Sequence, residues 1–554
     1  MMGTTPRGLF TALVLSLGLI GCSDSDNDGE TPVERGNREQ ILHMGNGDEP
    51  SDVDPHTTTG IPEYFIQKAL FEGLVSKHPE TLEVVPGVAE SWEVSEDNRV
   101  FTFHLREDAR WSNGDPVTAE DFVWSWQRAL MPALGNQYAY SLFVIENAEA
   151  YHRGEIEDFS EVGVKALGER TLEVTLKNPT SYFLQLLDHH SMFPVHRDTV
   201  MAHGDMDERG TRWTRPENFV GNGPFTIKEW SPGRVVVVEK TSQYWDADQV
   251  KLQEIHFHPI QQVTTEERMF RSGQLHITNT MPTSKISVYR EGDHPALRIN
   301  PYLGTYFYLI NTEREPYDDV RVRQALAYSI DREAIVSSIT QAGEKPAYAL
   351  TPPGTLGYTP QAKVPYDPER ARELLAEAGY PGGEGMPKVE ILYNTMEDHK
   401  KIALAIQQMW RRELNVDVTL RNQEWKVYLN SKRISDFDLA RLGWIGDYVD
   451  PSTFLDLFIT GGGNNNTGWG NDQYDELLQK AARASSREER YDYFQQAESI
   501  LMEEVPLIPL YNYTTKRLVS PSVKGWHNNI MDYHPYKYLS LEPVSDMPEQ
   551  PAAE

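Results

Sequence analysis

The stretch Arg441-Leu442-Gly443-Trp444-Ile445-Gly446-Asp447-Tyr448 concentrates residue types that can hold a small polar molecule. Arg441 offers a planar fork of donors suited to a carboxylate. Gly443 and Gly446 allow close backbone approach, so the strand between them can take an extended chain as an added strand. Asp447 supplies an anion, although a lone loop aspartate ordinarily serves as a cap or turn residue. His399, in Asn394-Thr395-Met396-Glu397-Asp398-His399-Lys400, can hold an anion when protonated or through its neutral N–H. Catalytic patterns are missing: there is no glycine-rich phosphate loop, no G-x-S-x-G elbow and no HExxH. His256-Phe257-His258 puts two imidazoles on one strand face, where a metal could sit, but no third ligand follows at a recognisable spacing. His189-His190 is a weaker pair. Surface histidines account for both pairs, so neither a metal nor a cofactor is expected.

These side chains need a frame, and the local patterns are those of a mixed α/β protein. Val100 to Leu105 alternates Phe101, Phe103 and Leu105 with Thr102 and His104, the period of a half-buried strand. Ser112-Asn113-Gly114-Asp115-Pro116 is turn chemistry. Thr118 with Asp121 then makes a helix N-cap, after which Phe122, Val123 and Trp126 form one apolar face. Short strands at 171–176, 235–238 and 389–393 alternate with capped helices. One helix opens at Asp367-Pro368, turns Leu374 and Leu375 inward, and stops before Gly379.

A chain of 554 residues is too long for one core, so two or three domains are expected. Its formal charge of −31, from 52 Lys plus Arg against 83 Asp plus Glu, excludes the basic surface that nucleic acid requires and disfavours a polybasic membrane patch. Arg7 precedes an apolar run from Leu9 to Ile20 that is too short to span a bilayer, the layout of a secretory signal over residues 1–21. Leu19-Ile20-Gly21-Cys22 reads as a bacterial lipobox, and Cys22 is the only cysteine in the chain. Lipidation there gives a role to a thiol that would otherwise be unpaired in an exported protein. Residues 22–36 are expected to form the lipidated cysteine and an acidic disordered tether, and 542–554 a disordered tail. Ser23 and Asp24 leave inner against outer membrane open.

Longer strings resemble the solute-binding proteins that feed peptides to bacterial ABC importers. They are GVAESWEVSEDNRVFTFHLREDARWSNGDPVTAEDFVWSWQR at 87–128, GNGPFTIKEW at 221–230, NTEREPYDDVRVRQALAYSIDR at 311–332, YDPERARELLAEAGY at 366–380 and VPLIPLYNY at 505–513. The resemblance implies an α/β, periplasmic binding protein-like fold of the large class II, cluster C type, with two lobes on a hinge and an extra inserted domain. One lobe would combine 37–71, 199–303 and 514–541; the inserted domain would be 72–198 and the other lobe 304–513. Asp447 would take a peptide's α-amino group, and Arg441, His399 and Lys432 its carboxylate. Gly443, Trp444, Ile445 and Gly446 would meet the backbone and one side-chain pocket. Thr59, Ile61, Tyr138, Tyr302, Trp425, Tyr511 and Tyr513 would line the cleft. A lysine of the enterobacterial members aligns with Thr340, and their bridging cysteines with Gly304 and Ile445, so that disulfide is absent here. The implied function is a monomeric, lipid-anchored periplasmic receptor, not an enzyme. It would capture short peptides for an inner-membrane ABC permease and its ATPase subunits, touching the membrane only through its lipid. Alternatives are a same-fold receptor for murein peptide, dipeptide, nickel, haem or sugar, a peptide-sensing signalling receptor and, from another class, a secreted peptidase.

Overall fold

The computed structural model describes residues 29–484 and 486–543. Cys22, the signal segment 1–21 and the start of the tether lie outside the described residues, as do 544–554. The tether ends sooner than its composition implies, because Pro32–Glu39 is a helix that buries Val33 and Gly36. Its start is a reciprocal cap: the Glu34 N–H donates to the Thr31 hydroxyl (3.2 Å), and the Thr31 N–H donates to the Glu34 carboxylate (2.7 Å). At the other end the Glu542 N–H donates to the Ser522 carbonyl at 2.9 Å, so the tail's first residue is held.

Three sheets of four or more strands organise the described residues. The first orders Ile41–Gly45, Glu254–His258, Val235–Lys240 and Phe225–Ser231, parallel in its first pair and antiparallel beyond. The second orders Lys345–Pro346, Leu507–Leu518, Leu297–Ile310, Leu439–Ile445, Val389–Asn394 and Val418–Gln423. The third, Ala89–Val94, Val100–Leu105, Thr171–Thr175 and Val164–Gly168, is antiparallel throughout.

Local patterning explains the elements. Phe101, Phe103 and Leu105 are buried as their alternation predicts. The helix Ala119–Leu130 is capped by Thr118 and Asp121 and buries Phe122 and Trp126, while Val123 is only half-buried. Asp367 caps Pro368–Glu377 by accepting from the Arg370 N–H at 3.0 Å, and Gly379 ends that helix at φ +102°.

Each sheet packs on its own core. Phe307, Leu309, Ile391 and Trp410 belong to the second sheet's, Phe103, Trp111 and Trp126 to the third's, and Leu42, Ile66 and Phe257 to the first's. Two tyrosines cross over: Tyr138 joins the second sheet's core and Tyr448 the third's, where it stacks on Tyr182 at 4.7 Å. A buried ion pair ties the helix Ala119–Leu130 to the loop before Ile61–Leu70. Arg128 donates to both Asp54 oxygens (2.7 and 3.1 Å) and to the Met206 carbonyl (2.9 Å).

Leu297–Ile310 and Leu507–Leu518 run antiparallel from Leu297↔Leu518 to Leu309↔Leu507, with the register broken between Pro301 and Thr305. Near Leu518 this ribbon bonds toward the first sheet: the Thr278 N–H donates to the Leu518 carbonyl (2.9 Å), the Ser520 N–H to the His276 carbonyl (2.8 Å), and Ile277 bridges to both Val519 and Met44. Its other half is the centre of the second sheet. The chain therefore passes between the two bodies twice, through one paired ribbon with an irregularity at the crossing.

Candidate functional site

The strand Leu439–Ile445 pairs along its length with Leu297–Ile310, from Gly304↔Ile445 to Ile310↔Leu439. On its opposite edge it pairs with Val389–Asn394 only at Leu439 and Ala440. From residue 441 to 445 that edge has no strand partner, although the Tyr428 hydroxyl donates to the Arg441 carbonyl. Such an edge can accept an extended chain. Leu442 and Trp444 point into the core, so Arg441, Gly443 and Ile445 share the other face. The glycines also serve the protein's own packing. A Cβ on Gly443 would come within 2.9 Å of Tyr513 Cζ and closer to its hydroxyl, and one on Gly446 would come within 2.9 Å of Leu303 Cδ2. Ile445 Cδ1 lies 2.5 Å from where a Gly304 Cβ would stand, so the isoleucine fills the space between those paired positions.

Arg441 sits in a nest of tyrosines. Its Nη2 donates to the Tyr513 hydroxyl at 2.8 Å, its Nη1 reaches Asn394 Oδ1 at 3.4 Å, and its guanidinium carbon lies 4.7 Å from the Tyr306 ring. Tyr306 and Tyr511 stack at 4.7 Å, and Tyr302 stands 6.3 Å from Tyr513. Arg441 Nε is buried without a hydrogen-bond partner, and among the described residues the guanidinium's hydrogen bonds go to Asn394 and Tyr513 and to no carboxylate. His399, in the first turn of Glu397–Leu414, places Nδ1 3.3 Å from the Tyr306 hydroxyl and buries Nε2 without a partner. Burial, reinforced by Arg441 and Lys516, pushes this imidazole well below its ordinary range, so it is neutral.

Asp447 lies just past the strand end, its side chain 14% exposed. Its N–H donates to the Thr453 hydroxyl at 2.9 Å, its Oδ1 is 3.3 Å from His189 Nε2, and its carbonyl accepts from Lys77 Nζ at 3.4 Å. Lys77 also lies 3.5 Å from Asp188, which accepts from Lys68 at 2.7 Å. His189 and His190 are buried, not surface residues as the sequence led us to expect. The His190 Nδ1 bonds the Pro55 carbonyl at 2.7 Å, and Tyr138 packs 4.5 Å from the His189 ring. Trp444 donates to the Thr453 carbonyl (2.7 Å) and lies 5.9 Å from Tyr138.

The other anticipated residues fall around these two centres. Lys432, buried on the helix Trp425–Arg433, has no ion-pair partner among the described residues, and burial pulls its pKa down to about 8. Trp425 reaches across to Glu63, 3.4 Å away, and packs against Gly60, between Thr59 and the exposed Ile61. A separate cavity of about 1160 Å³ is walled by Tyr140, Tyr182, Asp456 and Arg490, and none of the anticipated residues lines it. His189, Lys77, Thr453, Tyr306 and Asn394 were missed from sequence. The visible signal was Asp188-His189-His190-Ser191, a polar cluster inside an otherwise apolar run.

The chain matches the model of the bacterial extracellular solute-binding proteins, family 5 Middle, over residues 83–466. It is 36% identical over 549 residues to the periplasmic oligopeptide-binding protein OppA of Salmonella typhimurium, covering 95% of this chain and 96% of the relative. It superposes on the Escherichia coli murein tripeptide binding protein MppA with a TM-score of 0.87 at 37% identity, covering 91% and 99% of the two chains. Haemophilus influenzae OppA in complex with the peptide RPPGFSPFR gives 0.86 at 35% identity, with 91% and 99% covered. The unliganded open form of MppA, again 37% identical and covered over 91% and 97%, gives only 0.61. A fall at constant sequence identity marks a different placement of the lobes, and this chain has the closed one. The chain belongs to family 5 of the bacterial extracellular solute-binding proteins, two-lobed α/β receptors of ABC importers that bind a ligand and do not transform it.

Proposed function

We propose that this chain is a periplasmic receptor that captures short peptides by their backbone and termini and delivers them to an inner-membrane ABC permease with its ATPase subunits. The observation that carries the reading is a pair of opposite charges at the two ends of an open strand edge. Arg441 is a buried guanidinium with neutral partners, and Asp447 is a carboxylate six residues on. A free peptide is the complement, an extended backbone with an ammonium at one end and a carboxylate at the other. Asp447, oriented by Thr453 and His189, takes the ammonium; Arg441, with His399 and Lys432, takes the carboxylate. Residues 443–446 meet the peptide backbone. Tyr138, Trp444, Tyr302, Tyr511 and Tyr513 form walls, and Thr59, Ile61 and Trp425 close the far side. The lobes divide as 37–71 with 199–303 and 514–541, against 304–513, with 72–198 inserted and the hinge at the register break near 302–304. The protein works as a monomer, held to the membrane by lipid on Cys22.

Calorimetry on ligand-stripped protein tests the reading. Truncating one side of a buried charge pair costs about 2 to 5 kcal/mol, so Asp447→Asn should weaken a free peptide about thirtyfold to several thousandfold. An N-acetylated peptide should bind wild type equally poorly, and the two defects should not add because they delete one interaction from opposite sides. Equal affinity of wild type for acetylated and free peptide would end both the Asp447 assignment and the peptide reading.

A further inference from the structure

The parallel strands Ile41–Gly45 and Glu254–His258 place His43 opposite His256 and Gly45 opposite His258. Leu42, Met44, Ile255 and Phe257 are buried in the core, so His43, His256, His258 and Glu254 share the other, half-buried face. One ring nitrogen from each of the three histidines lies within 4.8 Å of the other two, and His43 Nδ1 is 3.5 Å from His258 Nε2. With zinc–imidazole bonds of about 2.0–2.1 Å, tetrahedral ligand nitrogens stand about 3.4 Å apart. That pair is already at ligand spacing, and a modest ring rotation brings in the third. His256 Nε2 is 2.7 Å from Glu254 Oε2, the contact by which an outer carboxylate orients a metal-ligating imidazole, and its Nδ1 is left for an ion. His276, its ring parallel to that of His43 at 5.8 Å, accepts the His43 backbone N–H on its Nδ1 at 3.0 Å and so fixes the strand at that residue. From sequence, the pair at 256 and 258 lacked a third ligand; the parallel register supplies it from the far end of the chain.

We propose that His43, His256 and His258 form a site for a late first-row divalent cation, Zn²⁺ foremost, with Glu254 as the outer carboxylate and the remaining position open to water. Three imidazoles with an open position suit Zn²⁺, Ni²⁺ and Cu²⁺ and are poor ligands for Ca²⁺ or Mg²⁺. The site is built on the first sheet, whereas Arg441 and Asp447 belong to the second sheet and its end, so cation and peptide occupy separate places.

The full mature chain, carrying no histidine tag and stripped with chelator, is titrated with Zn²⁺ by calorimetry and with Co²⁺ by its visible spectrum. The expected result is one Zn²⁺ per chain and a Co²⁺ spectrum of low-coordinate, nitrogen-rich type. Both should be lost in His43→Gln and His258→Gln, with peptide affinity unchanged. Zn²⁺ should also protect His43, His256 and His258 of the wild type from acylation by diethylpyrocarbonate, read by peptide mapping, a measurement that needs no variant to fold. Absence of that protection, or full Zn²⁺ binding retained by both variants, overturns the proposal.

Discussion

Lys432, one of the residues assigned to the ligand's carboxylate, is held away from its free chemistry by burial. Burial lowers its pKa from 10.5 to about 8, so between those values the unfolded chain binds a proton that the folded chain does not. Its contribution to stability therefore rises with pH across that window. Binding runs the other way, because a carboxylate needs the charged ammonium. Peptide affinity should fall as pH rises through about 8, and Lys432→Met should remove part of that fall. What remains is the titration of the peptide's own amino group, about 7.7–8.0. A C-terminally amidated peptide, measured by calorimetry over the same range, should show only this remainder. An identical pH profile in Lys432→Met and wild type would exclude Lys432 from the carboxylate site. His399 is different, since its ring is neutral. In the tautomer in which Nδ1 accepts from the Tyr306 hydroxyl, Nε2 carries the hydrogen and can donate to a carboxylate.

At the scale of elements, two packing arrangements hold the cleft. The strand Leu439–Ile445 has room for the Tyr513 ring only because residue 443 lacks a Cβ. Gly443→Ala must displace that tyrosine and the Arg441 it holds. Overpacking of this kind costs about 1–3 kcal/mol of stability, and the displaced guanidinium should weaken peptide binding as well, read together by urea unfolding and calorimetry. Tyr513→Phe removes one hydrogen bond and should cost less, about 0.5–1.5 kcal/mol. The helix Ala119–Leu130 is anchored by Arg128, which has no exposed surface, on Asp54. Arg128→Leu leaves that carboxylate buried and unpaired, a loss of about 3–5 kcal/mol, much of which Asp54→Asn in the same chain should restore. Equal stability of Arg128→Leu and wild type in urea would remove the pair from this role.

For the whole molecule, closure of 304–513 on the rest of the chain rests on sparse polar contacts besides the 3.3 Å approach of His189 to Asp447. Trp425 to Glu63, Val449 N–H to Gln185 and Lys77 to the Asp447 carbonyl each measure 3.4 Å, and Asn464 to the Gln137 carbonyl 3.2 Å. These are long hydrogen bonds, so the closed form without ligand is held lightly. Ligand-stripped protein should expand in small-angle scattering and compact again with peptide. At a hundredfold excess over Kd, peptide should stabilise the fold by about 2.7 kcal/mol. Unchanged scattering in protein shown to be ligand-free would contradict the hinge. Two sets of buried groups pull stability in opposite directions as pH changes. Burial lowers His56 to about 4 and His190 and His399 further, so as pH falls below 6.5 the unfolded chain takes up protons these rings refuse, and their contribution drops. Burial also raises Asp456 and Glu498 to about 7 and Glu266 to about 8. From about pH 4.5 the folded chain keeps those protons while the unfolded chain has lost them, so these carboxyls oppose the histidines below 6.5; above 6.5 they act alone, and stability falls toward pH 8. Thermal melts across pH 4 to 8 check both limbs.

The sequence by itself determined whatever depends on near neighbours. The alternation at 100–105 and the caps at Thr118 and Asp367 are local, because their bonding partners lie within a few residues. Long family-specific strings also carried the family and, with it, the two-lobed fold class. The start of Pro32–Glu39 was equally local, but its Thr31 and Glu34 cap was hidden by the acidic composition around it. Only the tertiary structure decided what depends on residues far apart in the chain. It put His189 beside Asp447, set Tyr306 between Arg441 and His399, and made Tyr513 the reason for Gly443. It also brought His43 to His258 across 215 residues. Strand register and lobe packing create those neighbours. A pattern read along the chain reports which face a side chain takes, but not which distant face will meet it.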